Sequence, residues 1–270
     1  MKIIKYFFEF IIISFLLFMY RILGLKISSF ISGKLIEIFG PLFRSKEIIT
    51  SNIRRAIPKI NSQEINNIKK GMWNNYGRTL SEYMFLKDFR NDKFNSNINI
   101  QGKEILEQIK HEDTPVIFIS GHFSNFELMA MQIEKFGINL AVIYRPLNNI
   151  FLNVFMERIR KKYICKKQIK KGTGGVRELL KLYRAGHSVA LMIDQRVSEG
   201  IKSKFFNEDA FTTTIPAQFV KKFNCKVVPI YIERYNDIKF YIKIEKPIEF
   251  SKGSSTEKIT QALNIWLEKM

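Results

Sequence analysis

The chain has 270 residues, 46% of them hydrophobic and 13% aromatic, which allows one large folded unit or two small ones with a real core and excludes a disordered chain. Lys and Arg number 44 against 25 Asp and Glu, so the formal charge is +19; that excess draws polyanions, whether nucleic acid, anionic lipid head groups or an acidic protein. Cys165 and Cys225 lie far apart and outside any CxxC pair, which argues against a disulfide scaffold or cysteine-ligated zinc and suits a reducing compartment.

The N-terminus reads MKIIKYFFEFIIISFLLFMYRILGLK, apolar from Tyr6 to Tyr20 except for Glu9. Lys2 and Lys5 precede the run, Arg21 and Lys26 follow it, and no small-residue cleavage site follows, so residues 1–26 read as an uncleaved anchor rather than a signal peptide. With Ile3-Ile4 and Ile22-Leu23 added, and with Lys5 and Arg21 free to snorkel, the anchor either spans a bilayer or lies deep in its interface; the alternative is a buried helix of the globular part.

Residues 27–97 read as a helical N-terminal part and 98–270 as an α/β core. Positions 51–85 are mostly helical, interrupted at Pro58 and restarted by an Asn61-Ser62 cap, with Ile65, Ile68, Met72, Trp73, Tyr76 and Leu80 at helical spacing. Residues 87–97 read as a polar loop and 98–102 as a short strand before a helix over 103–110. The pattern then alternates: strand 115–120, helix 124–136, strand 140–144, helix 150–163, helix 175–186, strand 188–193. A long connection over 195–213 leads to a helix at 214–223, strands 226–234 and 239–246 joined at Asn236-Asp237, and a last helix over 256–269. The expectation is a single α/β domain whose mixed, mostly buried sheet is flanked by helices and preceded by a hydrophobic anchor helix.

In such folds reactive groups sit just past the carboxyl ends of strands. Here that edge receives Gly121-His122, Arg145 and Asp194-Gln195 from three different strands. His122 is one of only three histidines, and Glu127 follows at a His-x4-acid spacing. Residues five apart on a helix point about 140° away from each other, so the two cooperate only if His122 lies on the turn, which Gly121 permits, and Glu127 reaches back from the first helical turns. Glu127 would then orient the imidazole, and the other ring nitrogen would take a proton from a substrate hydroxyl. The competing reading is structural: Ser124-x-x-Glu127 is itself a capping box, and His122 a turn histidine satisfied by backbone. No second His or Cys stands at ligand spacing, so neither a metal nor another cofactor is expected.

GHFSNFE, VIYRPLNN (142–149), KGTGGVRELLKLYRAG (171–186), LMIDQR (191–196) and KFFNEDAFTTTIPAQFVKKFNCKVVPIY (204–231) occur in this order, after an NNYGRTLSE helix and the hydrophobic N-terminus. Across nearly the whole chain this resembles the lysophospholipid-acyltransferase-like superfamily, and within it the late, or secondary, lipid A biosynthesis acyltransferases. The Pro-Glu-Gly-Thr-Arg-Ser-like block of the glycerolipid branch is missing. The resemblance implies transfer of an acyl chain from acyl carrier protein to a hydroxyl of a lipid A precursor, at the cytoplasmic face of a bacterial inner membrane. It makes His122 the general base and Glu127 its orienter. Arg145 and Arg158 would face the thioester oxyanion or the acceptor's phosphates, with a solvated helix charge the plainer reading of Arg158. Asp194 and Gln195 would shape the site, Gly172, Gly174 and Gly175 would allow close backbone approach, and Thr213 with its neighbours would bind head groups or cap the next helix. Two other readings remain: the same chemistry on another glycolipid or an aminolipid, and a non-enzymatic basic protein binding membrane or nucleic acid. Basic residues spread along the chain, behind an apolar N-terminus, disfavour nucleic acid as a partner.

Overall fold

A computed structural model describes residues 2–270. The elements in order are α1 (Lys2–Leu23), α2 (Leu25–Phe39), α3 (Lys46–Ala56), α4 (Ser62–Glu82), α5 (Leu86–Arg90), β1 (Ile98–Gln101), α6 (Lys103–Glu112), β2 (Ile117–Ser120), α7 (Glu127–Lys135), β3 (Leu140–Tyr144), α8 (Ile150–Ile159), β4 (Lys167–Lys170), α9 (Thr173–Arg184), β5 (Ser188–Met192), β6 (Ile201–Phe205), β7 (Glu208–Thr212), α10 (Ile215–Phe223), β8 (Val227–Tyr235), β9 (Lys239–Ile244) and α11 (Thr256–Glu268). Seven strands form one sheet in the order β1-β9-β8-β2-β5-β3-β4. β8, β2, β5, β3 and β4 are mutually parallel, while β9 returns antiparallel to β8. The sheet is therefore mixed, as the hairpin reading of the last two strands requires. Asn236 and Asp237 form its turn with φ of 45° and 63°, values these two residue types tolerate best after glycine.

The central strands are apolar on both sides because both sides are covered. Phe118 joins Leu128, Met129, Met131 and Ile242 in one core, and Ile117 and Ile119 join Val189, Leu191, Phe219 and Leu263 in the other. Three sequence expectations change. The connection over 195–213 contains a separate antiparallel hairpin, β6–β7, whose tip, Phe206-Asn207, has φ of 49° and 62°. The strand β4 was hidden because only Ile169 of its four residues is buried. The polar stretch after residue 85 includes a short helix that buries Leu86 and Phe89.

Pro58 falls between α3 and α4, and Asn61 caps α4 in a full capping box with Glu64. The pairing of α2 with α4 is unusually close. Ser28, Ser29, Ser32 and Gly33 of α2 are buried, and the Ser32 hydroxyl donates to the Gly77 carbonyl at 2.6 Å. A Cβ on Gly77 would run into the Ser32 carbonyl and come within 2.9 Å of the Gly33 Cα.

The α1 helix is the one helix among the described residues long and apolar enough to cross a membrane. It is docked along the protein rather than free. Phe7 and Phe10 pack on Phe151 of α8 with ring centroids 5.7 and 5.9 Å apart. Asn149 caps α8 with its Oδ1 and donates through Nδ2 to the Tyr6 carbonyl and to Glu9. Glu9, the one acid of the apolar run, thus has its partner on the folded core. At the other end Leu17 and Tyr20 are buried and Arg21 pairs with Asp88. The opposite face, with Phe8, Ile11, Phe15, Phe18 and Ile22, is exposed.

Helix propensity alone favours Ala over Gly by about 1 kcal/mol. Gly77→Ala should nonetheless destabilise the protein by about 1–3 kcal/mol, because the Ser32 backbone cannot retreat. Gly71→Ala, on the same helix with nothing near its Cβ, should gain up to about 1 kcal/mol. Thermal melts of the two variants in detergent check the opposite signs.

Candidate active site

The strands β2 and β5 pair in parallel with Ile117 beside Val189 and Ser120 beside Met192, a constant offset of 72 residues. One further ladder bond, Ile193 N–H to the Ser120 carbonyl at 2.9 Å, extends the register past the strand ends. Continued by two residues, that offset sets His122 beside Asp194. The imidazole Nδ1 lies 2.7 Å from Asp194 Oδ1, and the His122 backbone N–H donates to Oδ2 at 2.8 Å. One carboxylate therefore fixes both the ring and the main chain that carries it. With the proton on Nδ1 directed at the carboxylate, Nε2 is left as the basic nitrogen. Phe126 meets the ring edge-on at 4.9 Å. The His122 side chain keeps 32% exposure, so a substrate can reach it. Burial acts to raise the Asp194 pKa, but the hydrogen bond and charge of His122, with backbone N–H donors, hold it below its ordinary value of 3.8.

Glu127 does not take the place expected beside His122. It is 7% exposed, and its Oε1 accepts from Arg160 Nε at 2.8 Å and from the Tyr83 hydroxyl, while Arg160 Nη2 donates to that hydroxyl at 2.7 Å. Among the described residues no hydrogen bond joins Glu127 to His122. The physical reason is that a buried carboxylate takes the nearest permanent cation in reach, here the guanidinium of Arg160 on a π-helical turn, 160–164, that continues α8. The capping box fails as well: α7 starts at Glu127 itself, and the Ser124 hydroxyl is buried without a partner. The sharp turn falls on Ser124, with φ of 42°, rather than on Gly121. Gly121 serves space instead, since a Cβ there would lie 3.0 Å from the Phe123 ring and 3.2 Å from Leu267.

The loop carrying His122 is held from α4. Asn75 and Thr79 both donate to the Ser124 carbonyl, at 3.3 and 3.4 Å. Asn125 donates to Glu82 at 2.8 Å, and Glu82, fully buried, is paired with Arg234 of β8. Residues 75, 79 and 82 recur at helical spacing, so one face of α4 grips the loop, and Tyr83, the first residue past the helix, grips Glu127. This face was visible in the sequence only as the polar residues of the NNYGRTLSE helix.

The remaining expected site residues divide. Arg145 follows β3 at the same edge of the sheet and is exposed, as is Gln195 after β5. Arg158 is exposed on α8; it sits about 200° around the helix from Arg160, which explains why the guanidinium two residues later is the one that turns inward. Thr213 is buried and its hydroxyl accepts the Ile215 N–H at 3.3 Å in the turn before α10, whose N-cap, Thr214, makes no side-chain cap bond. At Gly175 a Cβ would strike the Lys170 carbonyl, so that glycine does serve a close backbone approach. Both cysteines are buried, and burial pushes the Cys165 thiol up to about 12 and that of Cys225 up to about 11, out of reach of a thiolate nucleophile at neutral pH.

Breaking one side of a buried ion pair costs about 3–5 kcal/mol, whereas replacing both sides with apolar groups is often neutral. Glu127→Ala should therefore lose about that much stability, and the double variant Glu127→Leu/Arg160→Met should recover most of it, as read by chemical denaturation. For Asp194 the sign is set by its lowered folded pKa. Its contribution is present in full above 3.8 and fades as pH falls through the folded value. The stability gap between wild type and Asp194→Asn should be widest at neutral pH and close on acidification.

The chain matches the family described as bacterial lipid A biosynthesis acyltransferase over residues 1–270. A protein named lipid A biosynthesis acyltransferase 2, from Shigella flexneri, is 22% identical over 172 residues, covering 62% of this chain and 54% of that protein. The chain thus spans about half the length of the curated relative it matches. The strand-end histidine held by a carboxylate therefore sits in a chain that belongs, over its whole length, to the bacterial lipid A biosynthesis acyltransferase family.

Proposed function

We propose that the chain transfers a fatty acyl group from an acyl thioester, with acyl carrier protein as donor, to a hydroxyl of a lipid A precursor. The observation that carries this reading is the His122–Asp194 pair: a partly exposed imidazole with Nδ1 held by a carboxylate and Nε2 unengaged. In the reaction His122 Nε2 removes the proton of the acceptor hydroxyl as its oxygen attacks the thioester carbonyl. Asp194 stabilises the imidazolium so formed. The tetrahedral intermediate expels the thiolate, which takes the proton back from His122, so the ring ends as it began. The buried, poorly ionised cysteines favour this direct transfer over an acyl-enzyme through sulfur.

Glu127 acts in this scheme one step back, by locking α7 and the π-turn beside the loop through Arg160 and Tyr83. Arg145, exposed at the same sheet edge, is suited to a phosphate of the acceptor or to the thioester oxygen, since a guanidinium binds either in plane. The charge of +19 suits both an acidic carrier protein and a phosphorylated lipid. An acceptor embedded in lipid calls for attachment to the membrane, at the cytoplasmic face of the inner membrane in this reading. The exposed apolar face of α1 supplies it. A helix docked on the core from Tyr6 to Arg21 fits one lying in the interface better than one crossing alone.

The test is mass spectrometry of lipid A from a host that lacks its own late acyltransferase and expresses this chain or its His122→Ala form. Wild type should add one acyl mass, and the variant, folded and in the membrane, should lose ~100-fold or more in turnover. Near-normal transfer by His122→Ala would remove the general-base role. If neither form adds an acyl mass while both are folded and membrane-bound, lipid A is not the acceptor, and total lipid analysis then reports another glycolipid or aminolipid.

A further inference from the structure

The α2 helix is built inside out. Apart from Leu25 at its start, the residues α2 buries are small or polar, Ser28, Ser29, Ser32 and Gly33, while Ile27, Phe30 and Ile38 point to solvent at 53%, 54% and 67% exposure. At about 100° per residue these three and Lys34 fall within roughly a quarter of the helix circumference. An isolated apolar side chain on a surface needs no explanation; a helix whose buried face is the polar one does. Small residues at a close helix pair with apolar groups turned outward is the arrangement of helices packed within lipid. After Phe39 the chain enters a single 3₁₀ turn, Gly40–Leu42, and presents Leu42 and Phe43 at 79% and 78% exposure, the two most exposed large apolar side chains among the described residues.

Charge identifies what covers this surface. Residues 26–46 carry Lys26, Lys34, Arg44 and Lys46 against one acid, Glu37, which is already engaged by Lys34 and Asn74. Apolar side chains interleaved with lysine and arginine match the boundary between acyl chains and anionic head groups. We infer that α2 and the Leu42–Phe43 tip form a second membrane-insertion element, distinct from α1, that seats the protein on an anionic lipid surface. This rests on the reading that the protein works at a membrane. It adds that the attachment has two parts, and that the second is bonded rigidly to α4, the helix that holds the His122 loop.

The test uses the full chain with single cysteines carrying an environment-sensitive fluorophore at Ile38→Cys and Phe43→Cys. Phe15→Cys on α1 serves as reference and Lys252→Cys as solvent control; Cys165 and Cys225 are buried and escape labelling. Vesicles are phosphatidylcholine with or without phosphatidylglycerol, doped with a lipid-borne quencher. Expected is blue-shifted, quenched emission at 38 and 43, stronger with phosphatidylglycerol, and a partition into those vesicles weakened ~10-fold or more by Leu42→Ser/Phe43→Ser. If 38 and 43 behave like 252 while 15 is quenched, the protein binds membrane through α1 alone and the inference falls. If 15 is unquenched too, membrane attachment itself is wrong. A blue shift at 38 and 43 that follows protein concentration without vesicles assigns the face to a second copy of the chain and also overturns the inference.

Discussion

A carboxylate removed from water has to find a cation or several donors, and two such carboxylates flank the histidine loop. Glu82 draws in Arg234 from β8, Asn125 from the loop and Ser29 from α2. Glu127 draws in Arg160 from the turn after α8 and Tyr83 from the end of α4. Between them these pairs connect two N-terminal helices, the central sheet, α7 and α8. Remove either carboxylate and a guanidinium is left buried without its counterion. Groups that never touch the His122 ring thus hold the loop that carries it, while Asp194 fixes the ring itself.

Rigidity and the proposed reactivity fall to different acids. Glu127 is buried and its hydrogen-bonding oxygen is filled by Arg160 and Tyr83. Asp194 is 27% exposed on its side chain and, among the described residues, bonds the histidine and backbone N–H groups alone. In the proposed transfer an imidazolium forming on His122 would meet a carboxylate that, among the described residues, no arginine neutralises. Had Glu127 been the partner, the same arginine would have cancelled much of the charge that stabilises the protonated ring.

Much of the fold could be read from the chain because its strong signals are local. The apolar runs at 115–120 and 188–193, the Asn61 cap and the Asn236-Asp237 turn each follow from residues within a few positions of one another. What stayed hidden is long-range or weak. A four-residue edge strand with a single inward Ile169 has no periodicity to detect. At the site, the sequence put His122 and Asp194 at two strand ends on one edge of the sheet but could give neither the adjacency of those strands nor the register that makes the two residues partners. Glu127 stood at a suggestive spacing from His122, and its actual partner, Arg160, lies 33 residues away. On α8 the sequence pointed to Arg158, whose plainer reading as a solvated charge matches its exposure, and passed over Arg160, because a sequence does not show which side of the helix faces inward, nor that a π-turn begins at 160.

The constant offset between β2 and β5 has a bearing on how such a chain can change over generations. Strand pairing advances in whole residues of about 3.3 Å, and a slip of one reverses which face each side chain meets. A single codon gained or lost between Ile117 and His122, or between Val189 and Asp194, would separate ring from carboxylate and turn core residues outward. The same change in the β6–β7 hairpin tip or at the Asn236-Asp237 turn would leave the β2–β5 register alone and disturb only the bonds those tips make to Glu268 and to Arg78 and Arg234. Length variation among descendants of this chain should accumulate in those places, with the two short strands and the two residues past each end kept at fixed length.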